Sequence, residues 1–347
     1  MLTFLNDYSY LCHERILQAL QNHQGEANPG YGLDQHSINA RELILKACGT
    51  DSEHHSVFFF NGGTQVNACL IDSFLYSHQS AIAIETGHIS CHEVSAIEAT
   101  GHKVEVIPGE NGKMVPERLA QFLSERYNDE ALMHMCDPAM LYISHSTELG
   151  TVYTGEELHQ LRAICDQYQL KIYIDGARMA SGVTATGAAT IADVVATADA
   201  FTLGGTKHGL IAGEALVIKN SALMRGFVSL QKQFGALSAK GFFQGIQFAE
   251  LFKDGLYWEI GKQENAHAST IQEGLKQLGF KLYTESPTNQ LFVILTRAQL
   301  AKLREKVTCT FFAELKDDLV VVRLCTSFAT TDAECESVLA VFSQLRD

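Results

Sequence analysis

The sequence predicts an α/β fold, a mostly parallel sheet sandwiched by helices, followed by a smaller C-terminal α+β domain. Two observations carry this expectation. From Ser56 to about Lys219 short β-rich runs alternate with segments of helical period, and after Lys219 that alternation stops. Repeated strand-helix units put neighbouring strands parallel, because each crossover helix returns the chain to the same sheet in the same direction. With 347 residues, 46% hydrophobic and 19% charged, the chain is long and apolar enough to bury a large core, and its length corresponds to roughly two domains.

The elements follow in order. Two amphipathic helices, Glu14 to Asn22 and Ser37 to Cys48, are separated by NPGYGLD, whose proline and two glycines make a turn and allow close backbone approach to another segment. Then come the strand SVFFF with the helix TQVNACLIDSFLYS, SAIAI with SCHEVSAIEAT, KVEVI with PERLAQFLSERY, and MLYIS with GEELHQLRAICDQYQ. The strands KIYID, AFTL and ALVIK complete the set. Beyond Lys219 a long helical stretch is expected from about Arg225 to Gly261, then LFVIL, AQLAKLREK, LVVVRLCT and a closing helix from Asp332. The expected organisation is an N-terminal arm over 1–30, a large domain over 31–240 and a small domain over 241–347.

Charge and cysteine usage narrow the function. Lys and Arg number 26 against 40 Asp and Glu, a net charge of −14, which repels nucleic acid and anionic membranes and leaves small-molecule chemistry as the default. Any anionic ligand then needs a local basic or amide-lined pocket. The nine cysteines are odd in number, scattered and never spaced C-x-x-C, which disfavours a disulfide framework and a zinc cage and suits a reducing cytoplasm. The opening MLTFLNDYSY lacks a basic start followed by an apolar stretch, and no apolar run approaches a membrane span.

In open parallel sheets ligands bind at the carboxyl ends of the strands, so reactive residues there matter most. Three places stand out. NGGTQ, Asn61 to Gln65, joins SVFFF to a helix and offers free amides, a hydroxyl and a positive dipole end to a phosphate, though Gly-Gly-Thr is equally an ordinary strand-to-helix turn. Asp175 ends KIYID, with Arg178 three residues on; the bland alternative is an ion pair between them. Lys207 sits in LGGTKHGL among Gly204, Gly205 and Gly209, where a surface turn lysine is the alternative. No Walker loop and no G-x-G-x-x-G after a strand supports a nucleotide. On successive strands of one sheet the three are the parts needed to hold pyridoxal 5'-phosphate: a lysine for the imine link, an aspartate for the ring nitrogen and a helix N-terminus for the phosphate. Arg178 and Arg323 are candidates for a planar fork on an amino-acid carboxylate, Arg323 being equally a strand-edge residue.

These segments, together with NDYS, GYGLD, FNGGTQVN, TGHISCHE, STELGTVY, DGAR, GGTKHG and VRLCTS, resemble the L-threonine aldolase and β-eliminating lyase group of the aspartate-aminotransferase-like (fold type I) pyridoxal phosphate enzymes, over almost the whole chain. The resemblance implies that Lys207 forms the covalent link, Asp175 binds the pyridine nitrogen, and Gly62, Gly63, Thr64 and Thr206 hold the phosphate. It places His88 over the ring with Glu93 as its neighbour, and Asn6, Arg178 and Arg323 on the substrate carboxylate. It implies a homodimer or homotetramer with shared sites. His88 and His92 share the i, i+4 spacing of a metal pair, but no third ligand of suitable spacing joins them and no metal is expected.

The sequence departs from the group in three places. Glu148 stands in STELG where many members carry a histidine, and a carboxylate or a bound water there can take the β-hydroxyl proton. NDYS replaces the commoner SDTV. The stretch QKQFGALSAK differs from an Arg- and Gly-rich version, leaving Lys232 or Lys240 as the phosphate contact from a neighbouring subunit. The expected activity is retro-aldol cleavage of L-threonine or L-allo-threonine. The alternatives are β-elimination or transamination on the same cofactor, and a non-catalytic scaffold retaining the fold.

Overall fold

The computed structural model describes residues 1–220 and 226–345. The chain opens with a short strand β1 (Leu2–Thr3) and helices α1 (Glu14–Asn22) and α2 (Gln35–Ala47). It continues as β2 (His55–Phe60), α3 (Gly63–Phe74), β3 (Gln79–Ile84), α4 (His88–Cys91), β4 (Lys103–Ile107), α5 (Pro116–Tyr127) and β5 (Asp137–Ser144). Next are α6 (Gly155–Gln167), β6 (Lys171–Asp175), α7 (Met179–Thr184), α8 (Ile191–Thr197), β7 (Ala200–Gly204) and β8 (Glu214–Lys219). The remainder comprises α9 (Phe227–Gln233), α10 (Phe242–Lys253), α11 (Leu256–Gln277), β9 (Leu282–Thr284), β10 (Gln290–Thr296), α12 (Arg297–Arg304), β11 (Val307–Thr308), β12 (Thr310–Glu314), β13 (Leu319–Cys325) and α13 (Asp332–Ser343).

Seven strands form one sheet in the order β2-β8-β7-β6-β5-β3-β4. β4, β3, β5, β6 and β7 run parallel, whereas β8 lies antiparallel between β7 and β2. Alternate residues feed two cores. Ile82, Leu141, Ile143, Ile172, Ile174, Phe201 and Val217 point to one face, while Ala81, Ala83, Met140, Tyr142, Tyr173 and Leu216 point to the other. Burial of both faces explains why these strands read as continuous apolar runs. Four strands, β12-β13-β10-β9, form a separate antiparallel sheet over a third core.

Helix boundaries follow from capping. Asp34 accepts the Ser37 amide at 2.8 Å to start α2. Thr154, Thr190, Thr296 and Thr331 each close a reciprocal box with the residue three positions on, worth about 1 kcal/mol apiece.

Two expected helices are corrected. SCHEVSAIEAT is helical only to Cys91: Val94 and Ser95 take positive φ of 51° and 59°, and a single 3-10 turn follows at Glu98–Thr100. The break turns Glu93 inward, where it is buried against His88 and Asn67 instead of continuing a solvated helix. The stretch from Arg225 to Gly261 is three helices, interrupted at Gly235 and Gly255 with φ of 68° and 78°; Arg225 itself lies outside the described residues.

The first residues reach both halves of the molecule: β1 pairs parallel with β11 in a separate two-stranded sheet, Phe4 enters the third core, and the His13 amide donates to the Gly209 carbonyl at 2.8 Å. Helix α10 packs with α2, and Phe248 joins the core of the large sheet. Helix α11 carries the chain across: Leu256, Tyr257 and Ile260 belong to that same core, while Ala268, Ile271 and Leu275 belong to the third. The NPGYGLD turn does approach another backbone closely, since a Cβ on Gly30 would lie 2.6 Å from the Ala239 carbonyl oxygen. Among the described residues no helix is long and apolar enough to cross a membrane.

Candidate active site

Strand register brings the strand ends together. Ser144 of β5 pairs with Asp175 of β6, and Glu214 of β8 sits between Gly204 of β7 and Phe60 of β2. Above this edge lies a cavity of about 260 Å³. Asn61, Gly62, Gly63, Thr64, His88, Glu148, Asp175, Arg178, Thr206 and Lys207 all line it, as do Tyr8, Asn67, Ser144, Ser146, Ala177 and Glu214, which sequence reasoning did not single out.

The phosphate candidate begins α3. Gly62 is its N-cap and makes no side-chain cap, so the first amides of the helix face the cavity without a protein partner from that residue. A Cβ added to Gly62 or Gly63 would meet nothing of this chain within 4 Å, so the glycines border open space. Thr206 lies opposite, its Oγ1 accepting the Gly213 amide at 3.0 Å.

Asp175 is buried and carries three donors. Its Oδ2 accepts from Tyr142 Oη at 2.7 Å and Asn67 Nδ2 at 3.2 Å, and its Oδ1 accepts the Ala177 amide at 3.0 Å. Asn67 also donates to Glu93 Oε1 at 2.6 Å, and the same oxygen meets His88 Nδ1 at 2.7 Å. Glu93 is thus the neighbour of His88 that the resemblance implied. Burial pushes the His88 imidazole down, but the Glu93 hydrogen bond and the charges of Asp175 and Glu93 outweigh it and raise its pKa above the ordinary value.

Lys207 stands on a single 3-10 turn, Thr206–His208, that follows β7 and ends at Gly209 with φ 91°. Burial, helped by the Arg178 charge, lowers its pKa below the usual lysine range against the pull of Asp7, Glu214 and Asp175. Glu214 is the converse: burial pushes it up to about 8, with Lys207 opposing.

Glu148 has two unlike oxygens. Oε1 accepts from Ser144 Oγ at 2.5 Å, while Oε2 is buried with no hydrogen-bond partner. Burial raises its pKa and the Ser144 bond lowers it, with a net rise. Ser144 also lies 3.4 Å from Tyr142 Oη, so two hydroxyls connect Glu148 to Asp175.

The three residues expected on a carboxylate fall in different places. Arg178 lines the cavity, but Asp7 takes its Nε edge at 2.6 Å and Nη2 at 3.1 Å, so a ligand carboxylate is left the Nη1 side. Burial works against this pair's charges, yet mutual attraction prevails and holds Asp7 well below the carboxylate range and Arg178 above its own. Asn6 does not line the cavity; its Oδ1 accepts from the Tyr8 amide at 3.0 Å and Ser9 Oγ at 2.9 Å. Arg323 lies outside it too, with Nη1 donating to Gln290 Oε1 at 3.3 Å and Nε buried without a partner. Lys232 rests over the Tyr31 ring at 4.6 Å, away from this cavity.

The chain is similar to known proteins along most of its length. A family model described as beta-eliminating lyase matches residues 14–298. A threonine aldolase of Leishmania major is similar in structure, with a TM-score of 0.96, 39% identity and complete coverage of both chains. A low-specificity L-threonine aldolase of a Pseudomonas species is 29% identical over 87% of this chain and 86% of its own. Aspartate aminotransferase of Thermus thermophilus, at 15% identity, 99% and 91% coverage and a TM-score of 0.71, shares the fold.

Proposed function

Because the chain belongs to the beta-eliminating lyase family, we propose that it is a pyridoxal 5'-phosphate-dependent L-threonine aldolase, cleaving L-threonine, L-allo-threonine and related β-hydroxy-α-amino acids to glycine and an aldehyde. The observation that carries this reading is one cavity lined by a half-buried lysine, a buried aspartate and an uncapped helix N-terminus. The open space beside Gly62 and Gly63 fits the cofactor's phosphate.

Pyridoxal phosphate supplies an aldehyde for covalent capture of amines and a ring that accepts the charge released when the α–β bond breaks. Lys207 would provide the amine, its pKa lowered by burial. Asp175, fixed by Tyr142, Asn67 and the Ala177 amide, would hold the protonated ring nitrogen. The α3 amides with Thr64 and Thr206 would hold the phosphate, and His88 would contact the ring. Glu148 removes the β-hydroxyl proton at its bare Oε2 while Ser144 fixes the other oxygen. The Nη1 side of Arg178 takes the substrate carboxylate, with Arg323 closing from the small sheet.

A second copy of the chain covers the exposed apolar side chains of Tyr31, Leu33, Ile38 and Val228 in this reading, and Lys232 or Lys240 reaches the neighbour's phosphate. A cytoplasmic setting is supported by nine unbridged cysteines. The test is product analysis on the purified protein with L-threonine, L-allo-threonine and phenylserine. Glycine plus the matching aldehyde is expected. Ammonia plus a keto acid would replace the aldolase with an eliminating enzyme, and a colourless protein that takes up no cofactor would leave a scaffold.

A further inference from the structure

Far from the cavity, the C-terminal end of α1 and the start of α2 bring two imidazoles onto one carboxylate. His23 caps α1. Its carbonyl accepts the Glu26 amide at 3.2 Å, which turns the Glu26 side chain back toward the ring. His36 lies in the first turn of α2, a turn held by both Asp34 oxygens on Ser37. The result is His23 Nδ1 at 2.6 Å from Glu26 Oε1 and His36 Nε2 at 2.7 Å from Oε2, with the rings 4.5 Å apart. The three ligand atoms lie within 4.8 Å of one another, the one such His, Cys, Asp or Glu trio among the described residues.

We infer that His23, Glu26 and His36 bind a divalent transition-metal ion, with zinc the best match to the ligand types. Two neutral imidazoles and a carboxylate are a frequent zinc set, completed by water at the open side. Such a site needs ligand atoms about 3.3 Å apart at ordinary zinc bond lengths. The two nitrogens now rest 2.6 and 2.7 Å from the two Glu26 oxygens, with the three ligand atoms within 4.8 Å of one another, so side-chain rotation alone sets the spacing an ion requires. In the metal-free state each ring nitrogen must carry a proton to bond the carboxylate; the ion takes the place of those two protons. A −14 protein favours the cation further. Spacings of three and ten residues fit no linear zinc motif, which is why only the folded chain shows the trio.

The ion would clip α1 to α2 and close the segment containing Pro29, Gly30 and Gly32, whose glycines pack against Ala239 and Gly241. Its role is structural and independent of the proposed catalysis. The test uses the cofactor-loaded protein after chelator dialysis, titrated with Zn²⁺ by calorimetry and with Co²⁺ by visible absorption. One equivalent that the His23→Gln/His36→Gln double variant lacks is expected, with a rise in melting temperature confined to the wild type. Glu26→Gln should weaken binding at least tenfold, while His54→Gln, altering an exposed histidine elsewhere, should leave it unchanged. Zinc binding of equal strength in wild type and double variant, or in wild type and Glu26→Gln, would overturn the assignment. Unchanged circular dichroism and cofactor absorption in each variant exclude misfolding as the cause.

Discussion

The seven-stranded and the four-stranded sheet treat their polar residues differently. At the carboxyl edge of the seven-stranded sheet, Ser144, Asp175, Thr206, Lys207 and Glu214 converge on one cavity. On the four-stranded sheet Arg323 stands outside that cavity, held by Gln290 of the adjoining strand. Topology explains the contrast. Parallel strands all end at the same edge, so each strand end adds a side chain to a shared space. Antiparallel strands alternate direction and scatter their ends, so the small sheet can act on the site only by presenting a strand-borne residue to it.

If the parallel edge holds the chemistry, Lys207→Ala should have the largest effect. Turnover of L-threonine is expected to fall to background, and the visible absorption of the loaded protein should disappear. Retained aldolase activity would break the comparison outright. Glu148→Gln comes next, with a loss of about 10²–10⁴-fold in kcat and of the acid limb of the pH profile. Glu148 serves as a base only when ionised, so activity should rise with pH through its raised pKa. Ser144→Ala sharpens this: the Ser144 hydrogen bond lowers that pKa, so its removal should move the acid limb to higher pH. An unmoved limb would mean that another group carries the proton.

The parts of this site that were legible in the sequence are those where chemistry follows directly on an apolar run. Asp175 ends KIYID, Gly62 to Thr64 follow SVFFF, and Lys207 stands among glycines after AFTL. Tyr142, Asn67 and Glu214 were not legible, because each sits inside an ordinary strand or helix pattern and becomes a site residue only through register and helix docking. Asn6 and Asp7 show the same limit at one-residue scale. They are neighbours, yet the docking of the arm buries Asp7 on Arg178 and leaves Asn6 bonded to its own turn. The helix expected through Val94 failed similarly, since Glu93 is drawn inward by partners distant in sequence.

Asp7 joins the two regions. It binds Arg178 of the large sheet's edge and accepts from Asn289, which precedes β10 of the small sheet, at 3.0 Å. Asp7→Ala leaves a buried guanidinium without its partner, which should cost about 3–5 kcal/mol of stability, read as a drop in the denaturant midpoint. The pH dependence has a definite sign. The folded Asp7 pKa is depressed below the ordinary aspartate value of 3.8, so its contribution is full above that pH and is lost as pH falls through the folded pKa. The wild type should therefore lose stability over a range of acid pH where Asp7→Ala is flatter.

The smallest expected effect belongs to Arg323→Gln, and it tests the comparison from the other side. Arg323 lies outside the cavity, with one guanidinium nitrogen on Gln290 and Nε buried without a partner. A buried donor of this kind is costly unless something satisfies it, and a substrate carboxylate closing from the cavity side is a candidate. If Arg323 reaches substrate, the variant should raise KM about tenfold or more with little change in kcat, because a carboxylate contact made equally in ground and transition states moves only binding. If KM is unchanged while stability shifts, Arg323 is a strand residue satisfied within its own sheet. The substrate carboxylate then rests on the Nη1 side of Arg178 alone, and the division between the reactive edge and the supporting sheet becomes complete.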